Sequence, residues 1–158
     1  MLTINVSGLD EWRDKMDDKR FMRAVTTGMD RAAEFSVGYI QAKKLSEKGP
    51  ETLGIVSQRL RGSVTHTKPV AVGKSVRTLI GTRVKYGAVH EYGRSTQYPI
   101  TPKNGKALSF KIGNKTITVK SVTHPPIKPR RWLSKGLGES AHFFTEEIQD
   151  EILEELNQ

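Results

Sequence analysis

At 158 residues, with 35% apolar, 27% charged and 7% aromatic side chains, the chain has the size of one ordinary domain and a composition too apolar for disorder. It contains 0 cysteines, which excludes disulfide frameworks and thiolate metal sites and fits synthesis in a reducing cytoplasm. The net charge of +9 is uneven: residues 51–135 carry 17 basic and 2 acidic side chains, residues 136–158 carry 0 and 7, and asymmetry on this scale suggests an electrostatic partner, either nucleic-acid phosphates or an acidic tail on the same or a neighbouring chain, with a solvated basic surface as the plain alternative.

Alternation of apolar and polar residues over Leu2-Thr3-Ile4-Asn5-Val6 predicts a short strand, broken by Ser7-Gly8. The stretch MLTINVSGLDEWRDK lacks the basic leader and apolar core of a secretory signal, and no apolar run approaches the roughly 20 residues that span a bilayer, so a soluble chain is expected. Asp10 is expected to cap the following turn, with Trp12 and Met16 on one face. Met22, Val25, Met29, Ala32 or Ala33, Ser36 and Ile40 then recur every three or four residues and predict a long helix. Gly28 and Gly38 weaken it by roughly 1 kcal/mol each relative to alanine, and Gly49-Pro50 must end it.

Residues 57–68 read as a turn entering a strand, and residues 75–84 hold β-branched residues at strand spacing. KYGAVHEYGRSTQYPITPK, residues 85–103, sets His90 beside Glu91 between Tyr86, Tyr92 and Tyr98. Adjacent residues point different ways on a helix or strand, so His90 and Glu91 cannot act as a preorganised acid–base pair. The other histidines, His66, His124 and His142, form no metal-ligating spacing with it, and no nucleophile elbow, phosphate loop or dinucleotide fingerprint occurs. No catalytic role, no metal and no cofactor are therefore expected. Glu91 is nearly alone among cations, which predicts an ion pair with Arg83, Arg94, Arg130 or Arg131 that fixes a short helical turn.

KALSFKIGNKTITVKSV predicts a hairpin: Leu108, Phe110 and Ile112 share one face of its first strand, Ile117 and Val119 one face of its second, and Gly113-Asn114 forms a two-residue turn. Pro125, Pro126 and Pro129 predict a stiff, extended arm over residues 124–132. A single final helix is expected from Pro129 or Trp132, with Leu133, Leu137, Ala141, Phe144, Ile148, Ile152 and Leu156 as its apolar stripe. The expected fold is one α+β domain over residues 1–158, a mainly antiparallel sheet packed by a long N-terminal and a C-terminal helix, with a projecting loop over 93–106.

INVSGLDEW, SQRLRGSV, VKYGAVHEYG, KALSF and HPPIKPRRWLSKGL, in this order before an acidic last helix, resemble the small neck and tail-completion proteins of long-tailed bacteriophages, the lambdoid minor tail components related to the virion morphogenesis proteins of Mu-like phages. The likeness covers nearly the whole chain, and its most specific parts are Tyr86–Gly93 and Pro125–Leu133. Trp132 stands where such proteins usually carry phenylalanine, and Arg131 where proline is common. The resemblance implies a structural virion protein of the head–tail neck, made in the bacterial host cytoplasm. It implies a homo-oligomeric ring, commonly hexameric, that completes the tail and meets connector or head-closure and tail-terminator or tail-tube proteins.

On that reading Tyr86, Glu91, Tyr92, Arg94, Tyr98, Pro126, Arg130, Arg131 and Trp132 are candidates for subunit and partner contacts, Trp132 as the anchor of the arm. Lys103, Lys106, Lys111, Lys115 and Lys120 are candidates for facing a DNA channel or an acidic partner. The opposite charges of the middle block and the tail helix suit a head-to-tail contact between copies. Three alternatives are weighed: a free basic nucleic-acid-binding regulator, which lacks a helix-turn-helix, zinc-finger or RNA-binding signature; an enzyme acting on an anionic substrate; and a toxin-like basic module.

Overall fold

Asp17 opens the longest element of the chain. In the computed structural model, which describes residues 9–49, 52–54, 58–73, 75–103 and 105–157, its carboxylate accepts hydrogen bonds from the backbone N–H groups of Lys19 and Arg20, both at 3.0 Å. The strand expected at residues 2–6 and its break at Ser7-Gly8 lie outside the described residues. Asp10 is the first residue of the short α1 (Asp10–Arg13) and makes no capping bond. The capping function belongs to Asp17, at the start of α2 (Asp18–Tyr39).

Of the helical period read from the sequence, α2 buries Val25, Ala32, Ala33 and Ser36, while Met22 and Met29 are only partly buried; Phe21, Ala24 and Gly28 complete the buried face. Its last turn widens into a π segment, Ile40–Lys44, closed by a bond from Leu45 N–H to the Ile40 carbonyl at 3.1 Å. Chain order then gives α3 (Gln58–Arg61), β1 (Val64–His66), β2 (Val70–Val72), β3 (Ser75–Arg77), β4 (Ile80–Thr82), α4 (Lys85–Tyr92), β5 (Tyr98–Ile100), β6 (Leu108–Ile112), β7 (Lys115–Val119), β8 (Val122–His124), α5 (Trp132–Glu139) and α6 (His142–Leu156). The α+β class is as expected, but two features differ from the sequence reading.

The strands do not make one sheet. They form two long hairpins, each with an outer and an inner two-stranded antiparallel ladder. In the first, β1 pairs with β4 and β2 with β3; Thr67–Pro69 face only Thr78 and Leu79, so one extra residue bulges the first strand. In the second, β5 pairs with β8 and β6 with β7. The main helices therefore pack chiefly on each other, with the first hairpin laid on α2, where Val76 and Ile80 pack against the core clusters.

The expected single C-terminal helix is also two, interrupted at Ser140-Ala141. The break lets α5 lie against the π segment while α6 runs antiparallel along α2. Gly136 of α5 sits where an added Cβ would lie 2.6 Å from Ile40 Cγ1. Ile148 and Ile152 of α6 are fully buried among Phe21, Ala24 and Val25, and Phe144 packs on Ala32 and Ala33. Burial of each isoleucine contributes about 1.5–3 kcal/mol. A second core gathers Ile40, Leu45, Leu60, Val64 and Trp132, so α5 and the first hairpin share it.

Ion pairs line the helix seam. Glu155 meets Arg23 at 2.6 Å and Arg20 at 3.2 Å, Glu151 meets Arg31, and Glu139 takes both Lys44 Nζ at 2.6 Å and the Tyr39 hydroxyl at 2.8 Å. Asp30 joins α2 to the first hairpin through His66 at 3.0 Å and Lys68 at 2.6 Å. These bonds hold four carboxylates below their ordinary range: Glu155 chiefly through Arg23, Glu139 through Lys44, Asp30 through Lys68, and Asp17 through the Arg20 N–H.

The folded chain consequently binds fewer protons than the unfolded chain between the native and unfolded values of these groups. Their stabilisation is complete above about pH 5 and is lost as pH falls through the native values. Glu151 works in the opposite direction, because burial pushes its carboxyl up, and four lowered groups outnumber it. The urea midpoint is expected to be lower at about pH 3 than at about pH 6; an equal or higher midpoint in acid contradicts this account of the seam.

Candidate assembly interface

The stretch 85–94 and the proline arm 124–132 are interlocked. Gly93 turns the chain at φ 74, a conformation suited to glycine, and a Cβ there would lie 2.7 Å from the Ile127 carbonyl oxygen and 2.8 Å from Pro129. Beyond it Arg94 and Ile127 exchange two backbone hydrogen bonds of 2.8 Å. Arg130 N–H donates to the His90 carbonyl at 2.8 Å and Arg131 N–H to the Glu91 carbonyl at 3.2 Å.

Arg131 then adopts a left-handed backbone (φ 51, ψ 37) and redirects the chain into α5. Such a conformation in a non-glycine residue costs about 1 kcal/mol or more and persists only where neighbours impose it. Two contacts do so here. Trp132, only 1% exposed, seats its ring on Gly87 and donates its indole N–H to the Gly87 carbonyl at 3.0 Å. The Glu91 carboxylate accepts from Leu133 N–H at 2.7 Å and Ser134 N–H at 3.1 Å, the first free donors of α5.

Among the described residues the Glu91 carboxylate thus meets the end of a helix, where an arginine side chain was expected. The positive pole of α5 favours a carboxylate there as a cation would. Glu91→Ala leaves two N–H groups of a half-buried helix end without their acceptor, and a loss of about 1–2 kcal/mol is expected by urea denaturation, with Glu91→Gln losing less. A loss below about 0.3 kcal/mol for Glu91→Ala contradicts the capping role. His90 is held below its ordinary range, first by burial and then by the Arg130 charge.

Glu91 and Trp132, read from the sequence as contact residues, are therefore internal: they fix the node from which the arm and second hairpin leave. The remaining candidates lie outside it. Tyr86 is partly exposed, edge-on to His90 at 6.3 Å, and Tyr92 is 80% exposed. The Arg94 guanidinium lies 3.9 Å over the Tyr98 ring, which stacks on His124 at 5.1 Å. Pro126 and Arg131 are exposed, and Arg130 reaches the Gly49 carbonyl at 3.4 Å.

The projecting element is larger than the loop expected at 93–106. Residues 98–100 of that loop are β5, paired in register with β8 (Tyr98 opposite His124, Ile100 opposite Val122), so the whole 98–124 hairpin projects. In its outer part Leu108 lies opposite Val119, Phe110 opposite Ile117 and Ile112 opposite Lys115. Opposed residues share a face, so Leu108, Phe110, Ile112, Ile117 and Val119 form one apolar face, as the alternation indicated. Gly113 makes the turn at φ 57.

Among the described residues no core cluster takes up that face: Ile112 is 60% and Phe110 38% exposed, with Leu108, Ile117 and Val119 half-buried. Lys103, Lys106, Lys111, Lys115 and Lys120 are all exposed on this arm.

A second exposed surface went unread in the sequence. Phe35 and Tyr39 lie four apart on α2, off the buried stripe, and meet Phe143 of α6 at ring separations of 5.8 and 6.4 Å. They line an open groove of about 710 Å³ with Glu34, Gly38, Ala42 and two cations already paired within the chain, Arg31 with Glu151 and Lys43 with Glu47. Two large aromatics at helical spacing beside the core stripe were the available signal.

Among the described residues no three His, Asp or Glu side chains gather at metal-ligating distance, and no helix is long and apolar enough to cross a membrane. No protein-family model, curated protein or solved structure matches the chain.

Proposed function

We propose that the chain is a structural subunit of the neck of a long-tailed bacteriophage virion, where copies form a ring that completes the tail and joins it to the capsid connector. The observation that carries this reading is the 98–124 hairpin, an arm with a bare apolar face and exposed lysines, seated by an interlocked node. An isolated two-stranded hairpin is marginal in water, and an apolar face without a partner is a cost to a free monomer. Both features make sense in a subunit whose arm is covered on assembly.

The resemblance of Tyr86–Gly93 and Pro125–Leu133 to tail-completion proteins supplies the identity of the assembly. Head-closure or connector proteins on one side and tail-terminator or tail-tube proteins on the other are the partners, with a hexameric ring the closure expected. Lysines that do not meet acidic subunits face DNA through its phosphates, without reading sequence. Neck chemistry of this kind requires no catalytic residue, metal or cofactor.

The test is electron microscopy of particles assembled without this chain. DNA-filled heads and separate, finished-length tails are the expected result. Joined, infectious particles overturn the proposal, and sub-micromolar, sequence-selective binding of the purified chain to duplex DNA near physiological salt replaces it with a regulator.

A further inference from the structure

We propose that the β6–β7 hairpin of one copy docks on the α2–α6 face of a second copy, its apolar tip in the Phe35–Tyr39–Phe143 groove and Lys106 and Lys115 along the acidic stripe of α6. The inference rests on the assembly reading above and names the surfaces that meet.

Three observations converge on this occupant. First, both surfaces are apolar, bare and in the same chain: Ile112 and Phe110 on the hairpin, and Phe35, 53% exposed, in the groove. Because both are exposed in one subunit, neither fills the other within it. Second, the charges are complementary. Lys115 lies opposite Ile112 on the apolar face and Lys106 at the base of that strand, while Lys111, opposite Thr116, belongs to the other face; no acidic residue lies between Glu91 and Glu139.

On α6, Phe143, Glu147, Asp150 and Glu154 recur at i, i+4, i+7 and i+11, with Glu146 beside them, so the groove aromatic is the first position of an acidic stripe. Glu151 and Glu155 are taken by arginines of α2 in the same chain, whereas Glu146, Asp150 and Glu154 lie exposed on the outer face. The acidic tail thus divides into a share that closes the helix seam and a share that faces outward.

Third, the lengths agree. Six residue steps from Ile112 back to Lys106, the last two beyond β6, span up to about 20 Å, and eleven helical steps from Phe143 to Glu154 about 17 Å. A tip placed at Phe143 therefore puts the basal Lys106 over the far carboxylates. The contact joins two different patches, so each copy gives one and receives one. Such a heterologous contact closes into a ring or grows as a fibre, depending on the rotation it imposes.

The natural absence of cysteine gives a direct test. Ile112→Cys is placed at the hairpin tip in one preparation. Gly38→Cys is placed in the groove in another, where an added Cβ meets nothing within 4 Å. The two are mixed and mildly oxidised. Disulfide-linked pairs are expected roughly tenfold more often than between Ile112→Cys and a control cysteine at exposed Arg83. Lys106→Glu with Lys115→Glu in the first copy should abolish the excess, and Glu146→Lys with Asp150→Lys in the second should restore it.

Association seen by sedimentation without excess cross-linking overturns the docking and leaves the ring reading standing. Excess cross-linking in open fibres keeps the docking and removes the ring. A chain monomeric at every concentration, without excess cross-linking, removes both. Protection of the tip cysteine by duplex DNA, with no cross-link to the groove, overturns the docking in favour of a nucleic-acid contact.

Discussion

Trp132→Ala is expected to lower stability by about 3–5 kcal/mol. The ring is 1% exposed and packs with Ile40, Leu45, Leu60 and Val64, so its removal leaves a cavity walled by α2, α3, α4 and β1 that cannot collapse without moving all of them. The substitution also removes the indole bond to the Gly87 carbonyl, one of two contacts that impose the left-handed turn at Arg131. Against a total of about 5–15 kcal/mol for a domain, this is a large fraction.

Trp132→Phe keeps most of the packing and loses the hydrogen bond, for about 1–2 kcal/mol. Urea denaturation followed by circular dichroism, at unchanged slope, gives both numbers. A loss below about 1 kcal/mol for alanine contradicts the placement of Trp132 in the core.

The second large effect is a reversal of sign. Alanine normally replaces glycine in a helix with a gain of about 1 kcal/mol. Gly38→Ala should show that gain, since nothing lies within 4 Å of its added Cβ. Gly28→Ala should do the opposite. Its Cβ would sit 2.6 Å from Ile148 Cα, 2.7 Å from the Glu147 carbonyl oxygen and 2.9 Å from Ile148 N, and backbone atoms of α6 cannot swing aside as a side chain can. Helices α2 and α6 must separate along the seam that buries Ile148, Ile152 and Phe144.

The expected loss is about 1–3 kcal/mol for alanine and more for valine. Thermal melts of the matched pair decide it: one midpoint up and one down supports the helix contact, and two midpoints moving together contradicts it.

Gly28 also shows what was legible in the sequence and what was not. The helical period of Met22 to Ile40 marked α2 and the side it turns to the core, because a 3.6-residue repeat of apolar side chains has few other solutions; it missed Phe21 and Ala24, which are more deeply buried than Met22 and Met29. In isolation Gly28 reads only as a weak point; that it is the closest approach of two helices requires knowing that α6 returns along α2. The β6–β7 pairing was legible from alternation and from Gly113-Asn114, since both signals are local.

Pairing of β5 with β8 was not, because it joins residues more than twenty apart across a loop, and tyrosine, proline and isoleucine in sequence carry no register. Glu91 was recognised as an isolated carboxylate. Its partners are backbone N–H groups of Leu133 and Ser134, which no composition can display. The stripe from Leu133 to Leu156 ran unbroken in the sequence, whereas the chain breaks at buried Ser140, so that α5 can fold onto the π segment and α6 onto α2.

Sedimentation velocity over rising concentration, on the intact chain and on a Phe110→Ser/Ile112→Ser variant, is the most direct measurement. The intact chain should pass into one discrete larger species. The variant, which changes residues that join none of the core clusters, should keep its melting temperature and remain monomeric. Identical sedimentation of the two, or a variant that unfolds, contradicts the assignment of the hairpin as the surface through which copies meet.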